Sequence, residues 1–138
     1  MTGEEARRRF VAARVARLAT ADAEGVPHLV PVVFAVDGDT VLTAVDRKPK
    51  RTTALKRLAN VRANPHVALL ADHYDDADWD ALWWVRADGE GTVLDPDEPE
   101  AVRAVELLAA RYPQHRADPP AGPVLSVRVV RWSGWSAR

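Results

Sequence analysis

The segment PHLVPVVFAV at residues 27–36 restricts the fold of this chain more than any other feature. Because side chains of a strand alternate between its two faces, one face would carry Leu29, Val33 and Ala35, and the other Val30, Val32, Phe34 and Val36. Both faces are apolar, so one should fill a barrel and the other should meet a helix, a ligand or a second subunit. Pro31 has no N–H, so strand pairing is interrupted there or the strand lies at an edge. We therefore expect a barrel with an open seam at Pro31, where a planar ligand can dock.

Five other strands and three helices are predicted along the chain. The strands lie at residues 16–21, 40–45, 66–71, 81–94 and 124–132. The helices begin at a capping box of Thr2 and Glu5, at Thr52 or Thr53, and at Asp97 with Glu100 as its partner. The second helix ends at Asn64-Pro65. Six mostly antiparallel strands in 138 residues predict a mainly β (α+β) fold, a small antiparallel barrel with about three helices, in a single domain spanning residues 1–138.

Several local features qualify this outline. A bend or bulge is expected at Gly89 or Gly91. The adjacent Trp83 and Trp84 should face opposite sides of their strand, so at least one leaves the core of the chain. Residues 113–123 are predicted to form a stiff, proline-rich connection. We assign the apolar stripe of the third helix to core packing alone, and it comprises Val102, Val105, Leu108 and Tyr112.

Positive charge is concentrated where the third predicted strand joins the second helix. The six basic residues are Arg47, Lys48, Lys50, Arg51, Lys56 and Arg57. A helix N-terminus also offers unpaired N–H groups and the positive end of the helix dipole. Thr52 and Thr53 add two hydroxyls on the face of Lys56 and Arg57. This joint fits a phosphate group, and the alternative is a solvated basic helix face.

Composition excludes several classes of function. The formal net charge is −1, so the basic cluster is local and argues against a general nucleic-acid binder. The chain contains no cysteine, which excludes disulfides, thiolate nucleophiles and cysteine-ligated metal centres. The charged start MTGEEARRRF shows no secretory signal, and no apolar run is long enough to span a bilayer. A soluble, cytoplasmic protein that binds neither nucleic acid nor membrane is expected.

The sequence offers no recognisable catalytic motif of its own. It has no glycine-rich phosphate loop, no nucleophile elbow, and four histidines without ligand spacing. The acidic loop at residues 72–80 lacks the glycine and the closing glutamate of a calcium loop, so we expect a solvated loop and no metal site. A place for an anion and a planar ring, without a nucleophile, is typical of enzymes whose organic cofactor carries the chemistry.

Three segments carry a resemblance to a known family: ARLATADAEGVPHLVPVVFAVDGD, LKRLANVRANPHVALLAD and DWDALWWVRADGEG. In this order and spacing the chain resembles the pyridoxamine 5′-phosphate oxidase-like proteins, and within them the coenzyme F420-dependent branch of actinobacteria. The resemblance covers nearly the whole chain. It implies an FMN-binding split β-barrel and a homodimer with two cofactor sites at the subunit interface.

The resemblance also implies roles for individual residues. The strand containing Val30, Pro31 and Val32 would flank the flavin or deazaflavin ring with its backbone. The basic residues that would approach the cofactor phosphate are Lys50, Arg51, Lys56 and Arg57, with Thr52 beside them. Trp84 would lie near the ring, and Trp132 or Trp135 would reach the site from the partner subunit. Val30 replaces an arginine of the true oxidases, and their C-terminal arginine–histidine motif is absent, so pyridoxamine phosphate is not the expected substrate.

The function expected from this resemblance is hydride transfer between coenzyme F420 and a small unsaturated organic substrate. The surplus of cations over the needs of one phosphate favours F420, which carries a polyglutamate tail, over FMN. No side chain is assigned as a catalytic acid or base. The alternatives are an FMN-dependent reductase or oxidase on the same fold, a non-catalytic F420-binding or storage protein, and a dimeric module whose basic patch meets an acidic partner.

Overall fold

A computed structural model describes residues 1–45 and 52–138, with residues 52–54 described by their backbone alone. The helices of this part are α1 (Gly3–Ala12), α2 (Thr52–Ala63), α3 (Pro99–Arg111) and α4 (Pro113–Ala117), with one 3-10 turn at Trp79–Ala81. The strands are β1 (Ala16–Ala21), β2 (Pro27–Val32), β3 (Ala35–Asp37), β4 (Thr40–Ala44), β5 (His66–His73), β6 (Trp83–Leu94) and β7 (Val124–Ser136). The predicted mainly β fold is confirmed. Within residues 113–123, the short helix α4 replaces part of the predicted irregular connection.

The strands form one antiparallel sheet in the order β2-β1-β5-β6-β7-β4-β3. Its two outermost strands, β2 and β3, follow each other in the chain and are separated only by Val33 and Phe34. The sheet therefore curls into a split barrel, and we call Val33–Phe34 the break. The single strand predicted at 27–36 is wrong, because the chain leaves one edge of the sheet and joins the other here. This gives seven strands in the described part of the chain where six were expected.

Pro31 lies in the edge strand β2, opposite Arg17 of β1, as its missing N–H predicts.

The barrel interior is filled from all sides. Phe34 at the break contacts Phe10 of α1, with 4.6 Å between ring centroids, and both side chains are fully buried. Because two buried aromatic side chains contribute several kcal/mol, about 1.5–3 kcal/mol each, α1 and the break are held together firmly.

The helix ends agree with the sequence in one case and disagree in another. Thr2 caps α1 as predicted, since its hydroxyl accepts from the Glu5 N–H at 3.1 Å. The cap predicted at Asp97 is wrong: Glu98 precedes α3 without a side-chain cap, and Pro99 is its first residue. Glu100 accepts instead from the Ser126 hydroxyl at 2.7 Å.

The apolar stripe predicted for α3 is confirmed in part, because Leu108 is buried and Val105 is partly buried against the core, whereas Val102 is exposed. The helix buries Ala101, Ala104 and Leu108, whereas Val102 is 49% exposed. Residues 101, 104 and 108 follow the helical repeat of three and four, so small side chains allow α3 to approach β3 and β4 closely. Tyr112 is buried as predicted, directly after the helix.

A bulge interrupts the pairing of β6 with β7, as the glycines predicted. Asp88 pairs with Arg131 and Gly89 with Val129, so Val130 is the extra residue. A Cβ on Gly89 would lie 2.4 Å from the carbonyl oxygen of Arg128, so only glycine fits. Beyond the bulge, β7 continues to Ser136. In the described part of the chain, no helix has the length and apolar character that crossing a membrane requires.

Candidate functional site

A cleft of about 690 Å³ opens at the break in the barrel, and we call it the seam cleft. Pro31, Val32 and Val33 form one wall, and β4 supplies Thr43 and Ala44. The rest of the lining comes from α2 and from the region of α4, with Arg57, Tyr112, Gln114, His115, Ala117 and Asp118. The cleft exists because β2 and β3 diverge here, so that no strand lies between the end of β2 and the end of β4.

Three of the predicted site residues come together in this cleft. Pro31 and Val32 line it from the strand side, and Arg57 lines it from α2, which follows the predicted strand-to-helix joint. An apolar strand segment and the residue Arg57 thus line the same space. This arrangement combines a slot for a planar ring with a positive charge for an anionic group.

Other predicted residues lie elsewhere in the chain. The side chain of Val30 packs against the barrel core and is not among the described lining of the cleft. Lys56 is exposed on α2 and does not line the cleft. Lys50 and Arg51, like Arg47 and Lys48, fall outside the described residues, as does the side chain of Thr52. The predicted N-cap of α2 lies at this margin, and the helix is described from Thr52 onward.

The tryptophans that the resemblance assigned to the site lie apart from the seam cleft within one chain. Trp84 and Trp135 pair across β6 and β7, and Trp135 is 49% exposed. Trp83 packs against the main core, and Trp84 follows it on the opposite face of the strand. Trp132 is held within its own chain, because its Nε1 donates to Asp39 at 3.0 Å and its ring contacts Phe10. Of the two C-terminal candidates, only Trp135 has a surface position suited to a partner subunit.

The residues contributed by the α4 region were missed at the sequence level. Residues 113–123 have the composition of a connection, and Tyr112 was assigned to core packing. One available signal was Pro113, since proline favours the first position of a helix and thereby directs the following residues. His115 and Gln114 extend from this turn into the cleft lining. The sequence therefore predicted the strand wall of the cleft and Arg57 of α2, and it missed the residues of the α4 region.

The outer face of β2, β1 and β5 carries exposed apolar side chains. Leu29 is 67% exposed and Leu70 is 36% exposed. Register places Leu29 opposite Ala19 and Ala19 opposite Ala68, and it places Pro31 and Leu70 on either side of Arg17. This face therefore carries the apolar side chains Leu29, Leu70 and Pro31 around the exposed Arg17, and it extends to the edge of the seam cleft.

A second cleft, of about 500 Å³, lies near the bulge, and we call it the polar cleft. Its charged residues already pair with neighbours in the same cleft. Arg128 donates to Glu90 at 2.5 Å, and Glu100 accepts from Ser126. This cleft shows no apolar wall comparable to Pro31–Val33, since its lining is mainly polar.

Three carboxylates of the 72–80 loop make hydrogen bonds within the loop, and one of them, Asp78, also pairs with Arg138. Asp75 accepts from the Ala77 N–H at 2.9 Å, and Asp78 accepts from the Asp80 N–H at 3.1 Å. Asp76 accepts from the Tyr74 hydroxyl at 2.8 Å. These short-range bonds fold the loop on itself, and among the residues that the structure describes no cluster of three metal-ligating side chains is found.

The family model for pyridoxamine 5′-phosphate oxidase matches residues 2–136 of the chain. No match was found among curated protein sequences. Among solved structures, a conserved hypothetical protein, Rv2991 from Mycobacterium tuberculosis, is 24% identical with a TM-score of 0.76, over 100% of this chain and 86% of its own. The FAD-binding protein mll6688 from Mesorhizobium loti is 21% identical with a TM-score of 0.71, over 97% and 94%. The heme storage protein HutZ from Vibrio cholerae is 15% identical with a TM-score of 0.72, over 99% and 95%.

Proposed function

The chain belongs to the pyridoxamine 5′-phosphate oxidase family, and on that premise we propose that it is an F420-dependent oxidoreductase that works as a homodimer. The observation that carries the proposal is the seam cleft, a cavity of about 690 Å³ that is lined by the apolar wall Pro31–Val33 and by Arg57. Ligand pockets for small molecules measure about 300–1,000 Å³ and combine apolar walls with a few polar groups.

The backbone of β2 supports the binding of a flavin-type ring. Pro31 can stand in the ladder opposite Arg17 only if its nitrogen faces away from β1, and its carbonyl then faces the same open side. This edge therefore presents the carbonyl acceptor of residue 31 without the N–H donor that another residue would add beside it. Flavin and deazaflavin rings both carry an N–H between two carbonyl groups, and that N–H fits such an acceptor.

The chain's residues would hold the cofactor at two ends. Arg57 would pair with its phosphate, and Lys50, Arg51, Thr52 and Lys56 are proposed to extend this anion site along the joint before α2. When bound, the reduced coenzyme supplies a hydride to an unsaturated small molecule. The strand wall would orient the ring and exclude water from one of its faces. No side chain is assigned as an obligatory acid or base.

A second copy of the chain is proposed to cover the outer face of β2, β1 and β5. This face exposes Leu29 and Leu70 and continues to Pro31, so a partner seated on it would also close the open side of the seam cleft. In that arrangement Trp84 and Trp135 of one chain would be free to approach the site of the other, which explains why they lie away from the seam cleft of their own chain.

Titration of the protein with F420 and, separately, with FMN tests the proposal, with quenching of tryptophan fluorescence as the readout. We expect saturable binding of F420 with one site per chain. Arg57→Ala should weaken this binding about tenfold to a hundredfold, as the loss of a charge-assisted hydrogen bond does. Arg62→Ala, an exposed cation in the last turn of the same helix, is the matched control and should bind like wild type.

The main alternative is an FMN- or FAD-dependent member of the same fold. It is favoured by the similarity to the FAD-binding protein mll6688. Selective binding of FMN or FAD, without F420, would replace the first proposal by this one. Tight binding of F420 without turnover of any acceptor in a broad panel would indicate a binding or storage protein, and binding of none of the three would refute the cofactor site.

A further inference from the structure

The break in the barrel creates a local problem of hydrogen bonding. Phe34 is fully buried, so its backbone N–H and C=O must find partners inside the protein. In an uninterrupted strand a neighbouring strand would provide them. Here the hydroxyl of Tyr112 does so: it accepts from the Phe34 N–H at 3.2 Å and donates to the Phe34 carbonyl at 2.9 Å. One side chain, 78 residues away along the sequence, therefore replaces a strand partner.

This hydroxyl is used to its full capacity. A tyrosine hydroxyl has one hydrogen and two acceptor lone pairs. Its second lone pair accepts from the Arg111 Nε–H at 3.0 Å, and its oxygen lies 3.1 Å from the Arg14 carbonyl oxygen, which is a second acceptor for the same hydrogen. Arg111 in turn donates to the carbonyls of Val11 and Ala13. The hydroxyl is thus anchored to the α1–β1 connection and is not free to rotate away from Phe34.

A second hydroxyl acts on the adjacent residue of the break. The Thr43 Oγ1 of β4 donates to the Val33 carbonyl at 2.8 Å. Thr43 and Tyr112 both line the seam cleft, and Val33 belongs to its strand wall. Side-chain hydroxyls therefore occupy backbone groups of residues 33–34 that could otherwise pair with a neighbouring strand. Such pairing would make the sheet continuous and close the cleft.

We propose that Tyr112 and Thr43 are positioning residues that hold the break in its open geometry, and that Tyr112 is the stronger of the two. Their hydroxyls fix the backbone of Val33 and Phe34 and thereby set the shape of the wall on which a planar cofactor lies. This inference rests on the proposed function for the identity of the ligand, whereas the geometry of the break can be tested without one.

The chain contains two tyrosines, which gives a matched pair of variants. Tyr112→Phe removes the hydroxyl at the break, and Tyr74→Phe removes an exposed hydroxyl that bonds Asp76. Amide hydrogen exchange at Phe34 and the dissociation constants for F420 and FMN are measured on folded protein. Tyr112→Phe should accelerate exchange at Phe34 and weaken coenzyme binding about tenfold, because it leaves buried backbone groups unpaired. Tyr74→Phe should change neither quantity.

Thr43→Val provides a second, milder test that also applies if Tyr112→Phe does not fold. It keeps the side-chain shape and removes only the bond to Val33, so coenzyme binding should weaken about threefold to tenfold. The proposal is overturned if the folded variants bind coenzyme as tightly as wild type and Tyr112→Phe leaves Phe34 equally protected. If wild type binds neither coenzyme, the proposed function fails, yet faster exchange at Phe34 in Tyr112→Phe still supports the role of the hydroxyl.

Discussion

The sheet is irregular at two places, the break at Val33–Phe34 and the bulge beside Gly89, and the two differ in what fills them. At the bulge, backbone meets backbone so closely that a Cβ on Gly89 would lie 2.4 Å from the Arg128 carbonyl. At the break, side-chain hydroxyls satisfy the backbone and a cleft of about 690 Å³ remains. The bulge shapes the barrel through close backbone contact, whereas the break leaves an open cleft beside the sheet.

This difference explains why only one of the two clefts is a candidate for a cofactor. The polar cleft near the bulge contains charges that pair with each other, as Arg128 does with Glu90. Its lining is mainly polar, so it offers little apolar surface to a planar ring. The seam cleft instead presents a preformed apolar wall, so binding a planar ring would remove apolar surface from water without disrupting the sheet.

The largest expected effect is on stability at the bulge. Gly89→Ala should lower the free energy of unfolding by about 3 kcal/mol, because the added methyl group meets a backbone carbonyl that cannot move away. Denaturant unfolding measures this change. Gly122→Ala is the control, since its Cβ would meet nothing nearer than the Val45 carbonyl at 4.0 Å and should be close to neutral. If Gly89→Ala were as stable as wild type, the close approach of Gly89 to the Arg128 carbonyl would not be what restricts this position to glycine.

At the break the main effect should be on binding. Val33 is 37% exposed and lines the seam cleft, so Val33→Trp should occupy cofactor space while changing the free energy of unfolding by less than about 0.5 kcal/mol. We expect coenzyme affinity to fall at least about tenfold, or 1.4 kcal/mol. Thr92→Trp, at an exposed position of the polar cleft, is the matched control. If Val33→Trp and Thr92→Trp both bind F420 or FMN as tightly as wild type does, the cofactor does not occupy the seam cleft.

A smaller effect is expected on association of two chains. Leu29→Asp replaces an exposed apolar side chain of the outer face by a charge, which the proposed partner would remove from water. The dimer dissociation constant should rise about tenfold or more, as sedimentation at several concentrations would measure. Val102→Asp, on an exposed position of α3, should leave association unchanged. A dimer of wild-type strength in Leu29→Asp would move the interface to another face.

The two irregularities also show what the sequence could and could not predict. Pro31 and Gly89 were interpreted correctly because a missing N–H and a missing Cβ have local consequences that hold in any fold. The role of Tyr112 could not be predicted in this way, since its partner Phe34 is 78 residues distant. The helical repeat predicted that Tyr112 is buried. It does not predict which group the buried hydroxyl of Tyr112 bonds. The wrong cap at Asp97 has a local cause, because Pro99 takes the first position of α3 and thereby places the N-cap at Glu98.

The smallest expected effect concerns the β1–β2 turn, which leads into the strand that ends at the break. Hydrogen bonds from the backbone N–H of Val26 and Glu24, with the charge of Lys56, lower the pKa of the Asp22 carboxyl from its ordinary value of 3.8. A lowered pKa in the folded state means that unfolding takes up a proton at acidic pH. The stabilisation is therefore complete above about pH 4 and is lost as the pH falls through the lowered pKa. Melting temperatures between pH 7 and pH 2 should fall more steeply for wild type than for Asp22→Asn, and the two curves should converge at the acid end. Parallel curves for Asp22→Asn and wild type would show that the charged Asp22 carboxylate does not stabilise the β1–β2 turn.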